Sequence, residues 1–159
     1  MTTITETRTT TTQVYEVFIK ASPEQIWEGI TNPDFTEQYF YGSRANYDLR
    51  PGGRYAGVAA GDESQQLVDG EVVESDPPRR LIHTWRALYD PETAVEPYSR
   101  VSWEIEPQDG GFTKLTVVHD RLDESPKTAL SVAGGWSYVL SGLKTLLETG
   151  KPLAEPSRS

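Results

Sequence analysis

Seven short stretches of this chain alternate apolar and polar residues, and a stripe of helical period follows them. Residues 13–20 set Tyr15, Val17 and Ile19 against Val14, Glu16, Phe18 and Lys20, the two-residue period of a half-buried strand. Ser22-Pro23-Glu24-Gln25 comes next. A serine cap, a proline in first position and a glutamine three residues on make a capping box, the start signal of a helix. Ile26, Trp27 and Ile30 give that helix a buried face, Asn32-Pro33 stops it, and a second short helix is predicted over 34–38. Three hairpins follow. Strands 44–49 and 54–60 flank Pro51-Gly52-Gly53, strands 67–74 and 79–87 flank Asp76-Pro77-Pro78, and strands 100–106 and 112–119 flank Asp109-Gly110-Gly111. Segments 61–65 and 89–97 read as polar loops. Val132, Trp136, Val139, Leu140, Leu143, Leu146 and Leu147 then fall on one face of a 3.6-residue period. This predicts one long helix, opened by Ser125-Pro126 and closed by Gly150 ahead of Pro152.

Strands segregated from helices imply an α+β fold: a curved antiparallel sheet of six to seven strands around a long C-terminal helix, with two short helices after strand one. Side chains alone rarely fill the space between such a sheet and one helix, so a pocket is expected. Gly134, Gly135 and Gly142 lie inside the predicted helix. They are either tolerated defects or a late helix start, or they let the helix bend and lie close to its neighbours; on the second reading residues near Gly134 and Gly135, with segment 89–97, form a movable gate to the pocket.

Alternation also sorts the candidate chemistry. Leu81, His83 and Trp85 share one face, as do Val101, Trp103 and Ile105, and Leu115, Val117 and His119. These apolar faces turn toward the long helix, which brings His119 and His83 beside Trp85, Trp103 and Trp136. His119 is the best proton-transfer candidate; its other reading is a strand-end histidine bonded to a backbone carbonyl. Tyr39, Tyr41, Tyr55, Trp85, Trp103 and Trp136 either line a pocket for a flat or lipid-like ligand or pack as core. The chain has no cysteine and only two histidines, without HxxxH or HxH spacing, so no metal site is expected. No phosphate-binding glycine loop opens a helix, and there is no GxSxG elbow. Asp69 and Glu71 on one strand, and Asp62-Glu63 in a loop, read as surface charge.

Charge narrows the partners. With 15 basic and 24 acidic residues the net charge is -9, the wrong balance for neutralising phosphates, so nucleic acid is not expected as a partner. The opening MTTITETRTTTT lacks an apolar core, and no run of 18 apolar residues occurs. A cytoplasmic protein without membrane insertion is expected. The 159 residues suit one domain over 13–153, with flexible tails at 1–12 and 154–159.

Five runs carry a family resemblance: PGGRY (51–55), DGEVVESDPPRRLIHTWR (69–86), VSWEIEP (101–107), TKLTVVHDRL (113–122) and GGWSYVLSGLKTLLETGKPL (134–153). Together they resemble the SRPBCC superfamily, the START-like helix-grip proteins. The bacterial single-domain branch similar to the C-terminal domain of the activator of the heat-shock-protein-90 ATPase is the nearest. The resemblance implies a deep cavity for hydrophobic ligands between sheet and helix. Trp85 and His119 match the family's pocket-facing positions, and Trp136 and Tyr138 match the helix segment. Many relatives carry a tryptophan after the second short helix, where this chain has Gln38-Tyr39-Phe40-Tyr41. The expected function is therefore binding of a small hydrophobic or aromatic molecule by Tyr39, Tyr55, His83, Trp85, Trp103, His119, Trp136 and Tyr138, without a cofactor. Two alternatives stand beside it: a polyketide cyclase- or aromatase-like enzyme using His119, and a chaperone-interacting module. A homodimer is a possible assembly.

Overall fold

The computed structural model describes residues 12–154. In chain order the elements are β1 (Gln13–Ile19), α1 (Pro23–Thr31), α2 (Pro33–Tyr39), β2 (Ser43–Tyr47), β3 (Arg54–Ala59), β4 (Asp62–Asp76), β5 (Arg80–Ala87), α3 (Pro91–Ala94), β6 (Ser99–Gln108), β7 (Phe112–Asp120), α4 (Pro126–Val132) and α5 (Gly135–Thr149). The strands form one antiparallel sheet in the order β1-β7-β6-β5-β4-β3-β2. Strands β2 to β7 are thus consecutive neighbours, while β1 sends its chain through α1 and α2 and itself pairs with β7. Bulges between Gly57 and Ala59 and between Val72 and Glu74 bend the sheet around the helices.

Local signals placed most elements. Ser22 Oγ accepts from the Gln25 N–H at 3.1 Å and the Gln25 side chain accepts from the Ser22 N–H at 2.8 Å, so the capping box starts α1. Asn32 both ends α1 and caps α2, accepting from the Asp34 N–H at 2.9 Å. Along β5, β6 and β7 the predicted inner residues are buried and their neighbours are not. Register puts His83, Val101 and His119 in one row across the sheet, and Leu81, Trp103 and Val117 in the next. Trp136, Val139, Leu140, Leu143 and Leu146 of α5 close over these rows. Gly142 allows that approach: a Cβ there would stand 3.0 Å from the Cβ of Tyr39.

The single long helix is corrected to two. Ala133 is extended and Gly134 adopts φ 82, a left-handed conformation that breaks the helix between α4 and α5. Ser125 does not cap α4. Its Oγ donates to the Pro97 carbonyl at 2.8 Å, and the Glu96 carboxylate accepts from the N–H groups of Lys127 (3.0 Å) and Thr128 (2.8 Å) instead. A tertiary cap thus replaces the local one. Replacing Gly134 by alanine should lower the unfolding free energy by about 1–2 kcal/mol, because an L side chain resists this backbone. Gly135→Ala should be near neutral, since it lies at the first position of α5 and its Cβ would meet only Tyr41 Oη at 3.5 Å. Urea titration of both variants checks this; equal effects would contradict it.

Other departures have similar causes. Segment 61–65 is not a loop: β4 begins at Asp62 after a tight turn at Gly61, φ 89, and its polar residues are those of an exposed strand end. Segment 89–97 contains α3, capped by Asp90. Asp69 is buried rather than surface charge: Arg86 donates to it twice, at 3.1 and 2.9 Å, and stacks over Tyr98. Among the described residues no helix is long and apolar enough to cross a membrane. The remainder of the two predicted tails, 1–11 and 155–159, lies outside the described residues.

Candidate functional site

A cavity of about 440 Å³ opens between the sheet and the α4–α5 pair, within the size range of sites that enclose small molecules. Phe40, Tyr41 and Ser43 wall it from the α2–β2 side, Leu67, Val68, Trp85 and Tyr89 from β4, β5 and the segment after β5, and Ser131, Val132, Gly135, Trp136 and Val139 from α4 and α5. None of these is acidic, basic or histidine. Its polar groups include the hydroxyls of Tyr89 and Ser131, both exposed, which meet at 2.7 Å. Tyr41, 63% exposed, stacks on Tyr138 with ring centroids 5.1 Å apart.

The histidines stand behind the wall, in opposite tautomers. An indole N–H only donates. Trp136 Nε1 donates to His119 Nδ1 at 3.1 Å, so the proton of neutral His119 is on Nε2, which donates to Ser99 Oγ at 2.7 Å. Ser99 Oγ passes its own proton to the Trp85 carbonyl at 3.2 Å. Trp103 Nε1 donates to His83 Nε2 at 3.1 Å, so the proton of His83 is on Nδ1 and reaches the Thr84 carbonyl at 2.9 Å. Burial pushes the His83 pKa down to about 4, against a smaller opposing pull from the Thr84 carbonyl. Burial, and then the nearby His83, push His119 down to about 3, with Asp120 opposing. Both imidazoles are neutral at pH 7 with both nitrogens engaged. The partners of His119 are side chains, not the backbone carbonyl of its bland reading.

Of the aromatic residues the sequence offered as pocket lining, the cavity brings together Tyr41, Trp85 and Trp136. His119 is one layer behind Trp136. Trp103 and His83 are a buried pair, and Tyr55 stacks on Tyr47 and packs on His83. Tyr39 bridges α2 to α1, its hydroxyl donating to the Gly29 carbonyl at 2.8 Å. Tyr138 is on the outer rim. Sequence reasoning missed Phe40, Ser43, Leu67, Val68, Ser131, Val132 and Val139 as wall residues, and placed Gly135 and Tyr89 at the pocket only as parts of a gate. Val132 and Val139 carried a signal, since both lie on the apolar stripe with Trp136. The meeting of Tyr89 with Ser131 carried none, the two being 42 residues apart.

Trp85 is distinctive among the wall residues. It is 4% exposed, and its buried Nε1 is directed at the Tyr55 hydroxyl without reaching close hydrogen-bond geometry.

No curated protein sequence matches the chain. The family described as Activator of Hsp90 ATPase homolog 1-like protein matches residues 20–148. Among solved structures, protein MLL2253 of Mesorhizobium loti is 25% identical, with a TM-score of 0.69 over 86% of this chain and 96% of that one. CalU16 from Micromonospora echinospora is 23% identical, with a TM-score of 0.66 over 89% and 76%. The Aha1 dimer from Colwellia psychrerythraea is 19% identical, with a TM-score of 0.65 over 88% and 98%.

Proposed function

The chain belongs to the family of Activator of Hsp90 ATPase homolog 1-like proteins, and from that premise we propose that it binds a small, uncharged, largely apolar molecule between the sheet and the α4–α5 pair. One observation carries this reading: a cavity of about 440 Å³ whose walls hold no acidic, basic or imidazole side chain. Apolar walls reward transfer of an apolar body from water at roughly 25 cal/mol per Å². An ionised ligand would lose its hydration there without a counter-charge.

Binding is favoured over cyclase chemistry by the state of His119. A general acid or base needs a free, titratable group within reach of substrate, and this imidazole has both nitrogens occupied and a pKa near 3.

Titration with the neutral fluorophore N-phenyl-1-naphthylamine tests the reading. The parent should enhance its emission saturably. Leu67→Trp, filling the cavity from the sheet, and Val139→Phe, filling it from α5, should each weaken binding by about tenfold or more, with circular dichroism unchanged. Undiminished binding in both folded variants would defeat the proposal.

A further inference from the structure

We infer that Ser43 is the specificity-determining residue of this cavity, its hydroxyl donating to a neutral oxygen on an otherwise apolar ligand. The inference rests on the reading that the cavity holds a small molecule, and it narrows the class of that molecule.

Ser43 opens β2 at the cavity wall and is 8% exposed. Its backbone is fully spent. The N–H donates to the Phe40 carbonyl at 2.9 Å, and the carbonyl accepts from Thr36 Oγ1 at 2.9 Å. Thr36 Oγ1 in turn accepts from the Ala45 N–H at 2.9 Å, so α2 pins the start of β2 at two points. The hydroxyl is left over. Ser43 Oγ has no hydrogen-bond partner among the described residues, and unlike Trp85 Nε1 it is not sealed from open space. Its direction is inward: a Cβ added to Gly57 would stand 2.6 Å from Ser43 Oγ and 2.7 Å from Val68 Cγ2. The hydroxyl therefore lies over the inner face of β3 beside Val68, itself a wall residue.

The other hydroxyls of the wall stand in water. Those of Tyr89 and Ser131 are exposed and bonded to each other, and Tyr41 is 63% exposed, so solvent serves them with or without a ligand. Buried polar groups in native proteins are rarely left unpaired. A ligand oxygen placed against Ser43 pairs its hydroxyl; a hydrocarbon of the same outline leaves it unpaired and excludes the water that would otherwise serve it. Sites with a waiting polar partner discriminate strongly against analogues that lack the matching group. The pinned backbone means that little ordering is needed when such a ligand arrives.

Fluorene and 9-fluorenone share one flat tricyclic outline and differ by a methylene against a carbonyl. Equilibrium dialysis of the full chain against each compound, in the parent and in Ser43→Ala, measures the coupling between the hydroxyl and the carbonyl. Ser43→Ala, with circular dichroism unchanged, should weaken fluorenone by about tenfold more than fluorene, the equivalent of one net hydrogen bond. A carbonyl that accepts a hydrogen bond absorbs at lower infrared frequency than a free one. The stretch of fluorenone bound to the parent should therefore lie below its position in hexane, a readout that needs no variant, and should return toward that position in Ser43→Ala. Equal effects of Ser43→Ala on the two compounds, or a parent-bound carbonyl stretch at its hexane position, would each overturn the role of Ser43 while leaving the cavity reading intact. Binding of neither compound to the parent would overturn both.

Discussion

Lowering the pH from 7 to 5 is expected to cost the fold about 4 kcal/mol from its two histidines alone. Burial is the main cause that holds His83 near 4 and His119 near 3, against an ordinary value of 6.5. In the unfolded chain both take up a proton as the pH drops through 6.5, while the folded chain does not. The unfolded state therefore binds more protons across this window, and stability falls with falling pH by about 1.4 kcal/mol per unit for each histidine. The contribution is complete above pH 6.5 and is lost progressively toward the folded values. Asp48, Glu96 and Glu148 are held below their ordinary values of 3.8 to 4.5, so their losses come at lower pH and leave the window to the histidines. A loss of this size rivals the whole stability of an ordinary domain. Urea unfolding at pH 7, 6 and 5 measures it, and His83→Gln should halve the slope. A flat stability profile over this range would mean that the imidazoles are not buried neutral.

His119→Ala should lower the unfolding free energy by about 4 kcal/mol, combining an unfilled space in the core with the stranded N–H of Trp136. The imidazole is fully buried, packs edge-on between Trp85 and Trp136, and is hydrogen-bonded on both sides. For a chain of this length the melting temperature should fall by about 8–16 °C. The stranded donor makes the effect non-additive: His119→Ala/Trp136→Phe should be less destabilised than the sum of its single variants by about 1–2 kcal/mol. A residue kept only for catalysis would show neither the melting shift nor the coupling. A melting temperature within about 2 °C of the parent would sink the structural assignment of His119.

These expectations separate what a reader of the chain sees from what the fold decides. The inner faces of β5, β6 and β7 were legible because strand geometry alternates side chains locally: Leu81, His83 and Trp85 needed no distant partner to share a side. The start of α1 was legible for the same reason, since its capping box spans Ser22 to Gln25. The break at Gly134 was not. The apolar spacing from Val132 to Trp136 runs through it, and the left-handed backbone accompanies the docking of α4 on Glu96, a residue from another segment. The rim was equally hidden, because Tyr89 and Ser131 meet only after β5 and α4 are in place.

The sequence by itself determined which residues face inward, through periods of two and of 3.6, and it displayed two imidazoles and three inward indoles without pairing them. Only the tertiary structure decided the pairing. A hydrogen bond needs about 3 Å between specific atoms, and that distance depends on strand register and on the seating of α5. The seating gives His83 to Trp103 and His119 to Trp136.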